Sequence, residues 1–509
     1  MSHSTEIEAK TTHPRIQGRI ATDSCTVHWD FNEYSPITLH GHLPFFSQFL
    51  HAGNLFSDWV GDCPLAYKSN NAPSVRDVLG TAMLSVLSGH SRYCHSGALF
   101  GDSVAAELLG MKKVVSHDSF LRAMKKMDGK KAEAWLHNHL LRKIEPLLKQ
   151  AYVLDIDATV KTVFGSQEGA EVGYNPHKPG RPSYCYHTYM VGTIRLVMDV
   201  DVLPGKQTAG CYSHPGLWRI LDHLPRPLWP TFVRGDIAYG NEGTMGGCEE
   251  RGARYLFRLR QSPKVKQLCR DLQGPGISWG EAGAGWQGYE TTLKLSGWSV
   301  ARRVIVLRRR KVETASVAQP LQLGAQDEFE FVDESAAAQY EWSVLVTNLD
   351  YDIRALGQLY RDRGDCENVF DELKNQWGWG GFTTQKMAPT KLMAGIIALV
   401  YNWWNIFCRL ADPDEHMEAI TSRPLLQNVI GCLAKTGGKK LIHLSAAGQD
   451  ARKTGLIFKE IAEFITSVLT ATQLNPAQKW VCVLNQAYKK YFMGHRLLPT
   501  SDGAQLLLI

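Results

Sequence analysis

Three acidic residues, Asp157, Asp236 and Glu367, occur where separate structural elements could bring their carboxylates together. Asp157 interrupts the apolar run AYVLDIDATV, Asp236 ends the apolar run TFVRGD, and Glu367 lies in the helical pattern YRDRGDCENVFDELK. Carboxylate oxygens are the ligands that Mg²⁺ prefers, and two such ions about 4 Å apart can activate a water or a 3′-hydroxyl for in-line displacement. The three positions therefore predict metal-dependent phosphoryl chemistry.

The third acidic residue has polar companions at helical spacing. At about 100° per residue, Tyr360, Arg363, Glu367 and Lys374 fall within a stripe of about 60° on one helix face. A polar stripe buried against a sheet is costly unless its groups have partners. The pattern predicts that Glu367 binds a metal ion while Arg363 and Lys374 meet phosphates.

Two other carboxylates compete for the same roles. Asp155 has the same strand parity as Asp157, so alternation along the strand does not choose between them. Asp371 lies on the same helical stripe as Glu367. The residue pattern leaves both alternatives open.

Strands must carry the first two carboxylates and a helix the third. The runs AYVLDIDATV, TYMVGTIRLVMDVDVLPG, TFVRGDIAYG, RYLFRLRQ and EWSVLVTNL predict strands, and helical patterns cover 353–376 and 392–408. Strands joined by helical links predict an α/β fold. In 261–345, Gly, Trp and Ser punctuate short strand-like runs, including DEFEFV, which is typical of an inserted β-rich subdomain.

The positive charge is concentrated in one segment. The chain has 56 Lys and Arg against 50 Asp and Glu, a formal net charge of +6. Residues 251–311 contain fourteen Lys and Arg and three acidic residues, so this segment is net +11 and the rest of the chain is net −5. Such a cluster predicts a polyanionic partner, with nucleic acid as the first candidate. Trp286, Tyr289 and Trp298 offer stacking surfaces for unpaired bases.

A second basic feature lies in the N-terminal part of the chain. The run DSVAAELLG predicts a capped helix that ends in Gly, Lys112 and Lys113 form a basic turn, and Ser116 can cap a following helix that contains Arg122. Residues 111–131 hold seven Lys and Arg against two Asp. This is the outline of a helix-turn-helix and predicts DNA contact.

Composition excludes several classes of protein. Apolar residues make up 44% and charged residues 21%, which rules out a largely disordered or fibrous chain. Eleven Cys without a C-x-x-C pair predict reduced thiols in a cytoplasmic protein. The polar N-terminus predicts no secretory signal. The apolar stretch 392–408 is too short to span a bilayer and contains Asn402 and Asn405, so we expect a buried core helix and no membrane partner.

The spacing Tyr360-x2-Arg363-x3-Glu367-x6-Lys374 resembles the Y-R-E-K signature of bacterial insertion-sequence DDE transposases. The run GSQEGAEVGYNPHKPGRPSY, residues 165–184, also resembles the signature segment of one subgroup of that superfamily. The resemblance extends from about residue 75 to residue 410.

This resemblance implies an RNase H-like catalytic core with ligands in the order Asp, Asp, Glu and a β-rich insertion before the Glu. The gaps of 79 residues between Asp157 and Asp236, and of 131 between Asp236 and Glu367, agree with that layout. The family's first Asp precedes a small residue and Thr, which favours Asp157 over Asp155, and the spacing favours Glu367 over Asp371. The implied regions are a mostly helical N-terminal DNA-binding region (1–150), the core (151–260 and 346–412), the basic insertion (261–345) and a helical C-terminal region (413–509).

The resemblance also implies the reaction and its partners. The expected activity is cut-and-paste transposition, in which terminal inverted repeats are bound and cleaved and the 3′-hydroxyls are joined to target DNA. Two Mg²⁺ ions per active site, which Mn²⁺ can replace, would be held by Asp157, Asp236 and Glu367. A homodimer would pair two double-stranded ends in the bacterial cytoplasm, at the nucleoid. The alternatives are a transposase-derived DNA-binding protein that no longer cuts, and an RNase H-fold nuclease without strand transfer.

Several residues are expected to contact DNA. Tyr360, Arg363 and Lys374 would lie near the scissile phosphate, and an aromatic residue of the insertion would receive a flipped base, with Trp298 preferred to Trp286. The remaining candidates are Lys178 and Arg181 in a substrate-facing loop, Arg302 and Arg303 in the insertion, and Lys112, Lys113 and Arg122 in the N-terminal region.

Overall fold

The computed structural model describes residues 17–21, 24–30, 36–176, 178–208, 215–311, 339–445, 449–492, 497–499 and 506–508. The predicted strand DEFEFV lies outside these residues. The strands are β1 (Gln17–Ala21), β2 (Thr26–Asp30), β3 (Ile37–Thr38), β4 (Val153–Thr162), β5 (Glu171–Val172), β6 (Pro182–Val191), β7 (Leu196–Pro204), β8 (Phe232–Gly235), β9 (Tyr255–Arg258), β10 (Gly280–Gly283), β11 (Trp286–Leu293), β12 (Arg302–Arg310), β13 (Tyr340–Thr347), β14 (Gly431–Thr436), β15 (Lys439–Leu444), β16 (Leu497–Pro499) and β17 (Leu506–Leu508).

Helices occupy much of the remaining described chain. The α-helices are α1 (Leu43–Ala52), α2 (Leu55–Gly61), α3 (Val75–Leu87), α4 (Ser103–Leu108), α5 (His117–Lys126), α6 (Gly129–Arg142), α7 (Pro215–His223), α8 (Glu242–Glu250), α9 (Pro263–Asp271), α10 (Ile353–Arg361), α11 (Gly364–Asn375), α12 (Met387–Ala411), α13 (Ala419–Leu426), α14 (Gln449–Thr470), α15 (Pro476–Ala487) and α16 (Lys489–Phe492). Short 3₁₀ helices cover Tyr93–Leu99, Glu145–Lys149, Gly192–Ile194 and Arg226–Leu228.

Ten of these strands form one mixed sheet. Its order is β10-β11-β12-β13-β9-β8-β4-β6-β5, and β7 also pairs with β6. Strands β4, β6 and β7 are antiparallel neighbours, whereas β8 runs parallel to β4 and β9 runs parallel to β8. The predicted α/β class is confirmed, and the strands predicted for this part of the chain are present.

The β-rich stretch 261–345 continues this sheet. Strand β12 pairs with β11 on one side and with β13 on the other, and β13 pairs with β9. The strand-rich prediction for this stretch agrees with the structure. Its strands, however, do not form a sheet of their own, because their backbone hydrogen bonds are continuous with those of the central strands.

Helix α12 is the centre of the hydrophobic core. It packs against α6, α3 and β7, and it includes the predicted core helix 392–408. Asn402 accepts a hydrogen bond from the Val197 N–H (2.9 Å) and donates one to the Val197 carbonyl (2.7 Å), which satisfies a buried amide. Within the described residues, α12 is the one helix long and apolar enough to cross a membrane, and 94% of its apolar window is buried inside the protein.

The two ends of the chain pack on the same core. The Phe49 ring of α1 lies 5.7 Å from Phe407 of α12 and 5.8 Å from Trp480 of α15, between ring centroids. Strand β3 pairs with β14, which forms a hairpin with β15. The C-terminal region 413–509, predicted to be helical, therefore also contains strands, because the Gly437–Gly438 turn has positive φ angles that favour a tight hairpin.

The two helices predicted on either side of the basic turn are present, as α4 and α5, with residues 109–116 between them. The Asp102 side chain caps α4 by accepting from the Ala105 N–H, and Ser116 caps α5 by accepting from the Ser119 N–H. The single helix predicted over 353–376 is instead two helices, α10 and α11, separated by two residues.

Candidate active site

The first two candidate carboxylates lie side by side at the end of a parallel strand pair. In the register of β4 and β8, Asp155 is opposite Arg234 and Ile156 is opposite Gly235, so the next positions are Asp157 and Asp236. A side chain on Gly235 would lie 2.8 Å from the Tyr239 ring, so only a small residue fits before Asp236. The Ala238 N–H donates to Asp236 Oδ1 (2.9 Å) and fixes the turn that follows β8. Each carboxylate is thus held by rigid backbone.

The third candidate carboxylate reaches this strand end from α11. Arg363, which precedes α11, donates to Asp157 Oδ2 (2.6 Å) and to Glu367 Oε1 (2.9 Å). Arg363 is 8% exposed and Asp157 13%, whereas Glu367 is 54% exposed. The guanidinium therefore bridges a buried carboxylate on the sheet and an exposed carboxylate on the helix.

The electrostatics of Asp157 reflect this crowding. Burial raises the pKa of the Asp157 carboxyl to about 7, and the nearby Asp236 and Glu367 carboxylates add to the rise, while Arg363 and the Ala158 N–H oppose it. Burial disfavours a charge, and neighbouring like charges disfavour it further. The surroundings of Asp157 therefore still favour a nearby cation, although Arg363 already contacts its carboxylate.

The other members of the predicted stripe lie on two helices rather than one. Lys374, on α11, is close enough to Asp157 for that carboxylate to oppose the lowering of its pKa by burial. Tyr360 is on α10, half-buried against the apolar side chains of Leu356 and Leu359. The single-helix stripe is wrong in detail, because the helix is interrupted at residues 362–363.

The two rival carboxylates have other surroundings. Asp155 is buried and accepts from Arg234 Nε (2.6 Å) and Nη2 (2.8 Å) in a bidentate ion pair. Arg234 also donates to the Leu359 carbonyl. Asp371 is exposed and accepts from the Asn375 amide (2.7 Å). The geometry places Asp157 beside Asp236 and links Asp157 to Glu367 through Arg363, whereas Asp155 is engaged by Arg234. Sequence reasoning missed Arg234, since nothing in the run R-G-D indicates which neighbour its Arg pairs with.

The carboxylate set fits a hard divalent cation in its chemistry but not in its present arrangement. Three carboxylates of which one is buried with a raised pKa suit Mg²⁺ or Mn²⁺. Among the residues that the structure describes, however, no group of three or more His, Cys, Asp or Glu side chains is arranged as a ready-made metal site. The Arg363 bridge between Asp157 and Glu367 accounts for part of this difference, because it holds oxygens that a metal ion would need.

Five of the predicted DNA-binding residues are exposed. Lys112 and Lys113 line a surface hollow of about 580 Å³ beside the N-terminal ends of α3 and α5. Arg122 is exposed on α5. Lys178 and Arg181 are exposed near the ring of Phe164, at 4.9 Å and 5.8 Å from its centroid.

Arg302 and Arg303, which are predicted to contact DNA, have hydrogen-bond partners within the fold. Arg302 is 5% exposed and donates to Glu249 (2.7 and 2.8 Å) and Glu242 (2.6 Å). Arg303 donates to Glu290 (2.8 and 2.6 Å) and to the carbonyls of Leu349 and Tyr351. Their hydrogen-bonding capacity is used within the fold, so neither arginine is presented to a phosphate in this structure.

The two tryptophan candidates are also largely enclosed. The Trp298 ring is 7% exposed and lies 5.3 Å from the Arg302 guanidinium, so a base could stack on it only after its surroundings moved. Trp286 is half-buried, with the Arg309 guanidinium 4.9 Å from its ring centroid. In this structure Trp286 is the more accessible of the two.

The family model described as transposase DDE domain group 1 matches residues 67–464, which is 398 of the 509 residues. No curated protein shows significant similarity. Among solved structures, the chain is similar to one in the cryo-EM structure of the piggyBac transposase synaptic complex with hairpin DNA, at 13% identity and a TM-score of 0.35, with 96% of this chain and 90% of that chain covered.

Proposed function

The chain belongs to the transposase DDE domain group 1 family, and we propose that it is the transposase of an insertion sequence. In this proposal it binds the terminal inverted repeats of its element, cleaves the DNA at the ends and joins the 3′-hydroxyls to target DNA by a cut-and-paste route. The observation that carries the proposal is that Asp157 and Asp236 follow adjacent positions of the parallel strands β4 and β8, with Arg363 joining Asp157 to Glu367 and the pKa of Asp157 raised to about 7.

We assign the catalytic core to the strands β7-β6-β4-β8-β9 and the helices on them. Three antiparallel strands followed by two parallel ones support an RNase H-like core. The proposed carboxylates come from its first strand, from the end of the strand beside it and from α11. In this assignment the strands β10–β12 belong to the insertion and extend the core sheet.

The three carboxylates would hold two divalent metal ions, Mg²⁺ or Mn²⁺. When bound, such ions activate a water or a 3′-hydroxyl and stabilise the leaving oxygen in an in-line displacement. Asp157 and Asp236 supply ligands from rigid backbone. Arg363 and Lys374 supply positive charge beside them, toward the phosphate that is cut, and Tyr360 lies near the end of α10, three residues before Arg363.

The DNA surface in this proposal is built from cations that the fold leaves exposed. Lys112, Lys113 and Arg122 would contact one part of the duplex, and Lys178 and Arg181 another. Arg302 and Arg303 are left out because carboxylates already pair with them. Two copies of the chain would hold the two ends in a synaptic complex in the cytoplasm, at the nucleoid.

The test is cleavage of DNA that flanks the gene by variants with Asp157→Ala, Asp236→Ala or Glu367→Ala, in Mg²⁺ and in Mn²⁺. Asp371→Ala is the matched control, since it removes an exposed carboxylate from the same helix as Glu367. We expect cleavage and strand transfer to be lost in the three variants, and DNA binding to be retained. Cleavage that persists in all three would contradict the proposal.

One observation favours a second candidate, a transposase-derived protein that binds DNA without cutting it. Arg363 contacts one oxygen of Asp157 and one of Glu367, which are oxygens that a metal ion would use. The unmodified protein decides between the two in the same assay, because the second candidate binds the flanking DNA and does not cleave it. Cutting of DNA without ends, and with no strand transfer, would point instead to a nuclease on the same fold.

A further inference from the structure

A buried carboxylate lies on α11, the helix that carries Glu367. Glu372 is 1% exposed and accepts three hydrogen bonds. Its Oε1 accepts from Trp377 Nε1 (2.9 Å) and from the Ala419 N–H (3.0 Å), and its Oε2 lies 2.8 Å from His416 Nε2. A carboxylate can only accept, so Nε2 of His416 carries the proton in this contact. Two of the three donors belong to the segment that leads into α13.

The same segment makes a second set of contacts with the end of α11. Gln376 accepts from the Ile420 N–H (2.8 Å) and donates to Glu418 Oε2 (2.7 Å). Arg423, on α13, donates to the Gln376 carbonyl (2.7 Å) and to the Val86 carbonyl at the end of α3 (3.1 Å). We name residues 416–423 the α11 clamp. The clamp joins the C-terminal end of α11 to the N-terminal helices.

The clamp holds α11 on the side away from the proposed site. Five residues separate Glu372 from Glu367, which is about 140° around the helix, whereas Lys374 is only about 20° from Glu367. The clamped side is buried, and the opposite side presents Glu367, which is 54% exposed. Hydrogen bonds of the buried carboxylate fix the rotation of α11 and its position along its own axis, because each bond is directional.

With an apolar residue at position 372, the clamped side of α11 could be buried at a lower cost in desolvation free energy. A carboxylate taken out of water loses several kcal/mol of hydration, which its hydrogen bonds must restore. Such a network specifies one arrangement of its elements more strictly than apolar contact does. In this protein the network fixes the position of α11, and α11 carries Glu367, the third proposed metal ligand.

We propose that Glu372 is a positioning residue, which with His416 sets the place of Glu367 and Lys374 opposite Asp157. This inference rests on the proposed function. In chemistry that depends on several groups held by different elements, a displacement of about 1 Å can cost about 100-fold in rate. The C-terminal segment after α12 would thereby set the geometry of a site to which it contributes no ligand.

The experiment compares Glu372→Gln with the control Asp371→Asn, which changes the neighbouring exposed carboxylate on the same helix. Both are assayed on DNA flanking the gene, with Mn²⁺, at a temperature where circular dichroism shows each protein folded. For Glu372→Gln we expect the cleavage rate constant at saturating DNA to fall about 30- to 100-fold and the Kd for DNA to stay within twofold. Asp371→Asn should leave both quantities within twofold.

A double variant in which the donor and the acceptor are exchanged separates a positioning role of Glu372 from a general effect on stability. In Glu372→Gln combined with His416→Glu, the new amide at 372 donates to the new carboxylate at 416, so the contact is restored with opposite polarity. We expect at least a tenfold recovery of the rate constant. His416→Ala keeps Glu372 and its other two donors, and it is the deciding variant if Glu372→Gln does not fold, with an expected loss of about tenfold.

Wild-type rates in folded Glu372→Gln and His416→Ala would overturn the positioning role, as would a loss that appears in Kd and not in the rate constant. The variants of the three proposed ligands are read separately. If Asp157→Ala, Asp236→Ala and Glu367→Ala all still cleave, the proposed function fails. If these three are inactive while Glu372→Gln cleaves like the wild type, only the positioning role fails.

Discussion

Two neighbouring positions on the same pair of parallel strands have opposite electrostatics. At the first, Asp155 of β4 faces Arg234 of β8 and the two form a buried bidentate ion pair. Two residues further along, Asp157 is beside Asp236. The pKa of Asp157 is raised to about 7, mainly by burial and then by the nearby Asp236 and Glu367 carboxylates. We refer to the first as the paired position and to the second, where two carboxylates are adjacent, as the acidic position.

The contrast shows how one strand pair serves stability and chemistry at once. The paired position is neutral and fully hydrogen-bonded, which is what a buried ion pair needs to be tolerated. At the acidic position the like charges of Asp157 and Asp236 repel, and the contact of Arg363 with Asp157 offsets only part of the rise in the pKa of Asp157. Gly192 permits the paired position, because a side chain there would collide with Asp155 Oδ2.

The largest expected effect is at the acidic position. Asp236→Asn keeps the acceptor for the Ala238 N–H and removes one of the two adjacent charges. We expect DNA cleavage in Mg²⁺ to fall about 1000-fold, equivalent to about 4 kcal/mol, because a metal ligand is lost. The midpoint of thermal unfolding should stay the same or rise. A variant that cleaves normally, or one that unfolds at a much lower temperature, would remove the distinction between the two positions.

The next effect is at the paired position and has the opposite character. Asp155→Asn leaves the Arg234 guanidinium, 3% exposed, without its carboxylate. We expect the free energy of unfolding in urea to fall by about 3–5 kcal/mol. Asp157→Asn, two residues away on the same strand, is the control and should cost much less or be stabilising. Equal losses in the two variants would show that the pairing difference has no energetic consequence.

A smaller effect is expected when two exposed cations are compared with a cation that already has a carboxylate partner. Lys112→Ala with Lys113→Ala removes two exposed charges, and we expect DNA affinity to fall about tenfold and the slope of log K against log salt to decrease by about 2. Arg303→Gln changes a cation already paired with Glu290, so its salt slope should match the wild type. Fluorescence anisotropy over a series of salt concentrations measures both. A lower slope for Arg303→Gln would mean that its pairing opens on DNA.

The smallest effect concerns Lys161, four residues beyond Asp157 on β4. Its amine donates to the Gly381 carbonyl and to the Tyr186 hydroxyl (3.2 Å), and burial lowers its pKa from 10.5 to about 7. Between these values the unfolded chain binds the extra proton, so stability rises with pH through this window. From pH 7 to pH 8 the gain is about 1 kcal/mol. Lys161→Met should lack this gain in urea unfolding, and an unchanged pH dependence would contradict the assignment.

Much of the fold follows from local pattern. The strands around Asp157 and Asp236, the caps at Asp102 and Ser116 and the core helix α12 agree with the sequence prediction, because alternation, capping and continuous apolarity are local signals. The break between α10 and α11 was not predicted, since the run 353–376 contains no Pro and its Gly364 is tolerated in a helix.

The net charge counted within residues 251–311 was the sequence signal that agreed least with the structure. The segment 251–311 has a net charge of +11, yet carboxylates from outside it pair with several of its arginines in the structure. These partners come from α8, β13 and other elements that are distant in the chain, so counting within a window misses them. The five are Asp222, Glu242, Glu249, Glu341 and Asp350.

The place of α12 has a consequence for how the protein is made. The helices α1 and α2, at residues 43–61, bury their aromatic side chains against α12, which starts at residue 387, and against α15. At roughly 5–20 residues per second, a ribosome needs about 20–70 s to travel from the first helices to the end of α12. During that time the N-terminal aromatic residues have no finished core to enter. Newly made chains are therefore candidates for chaperone binding, and nascent chains that stop before α12 should be rapidly degraded.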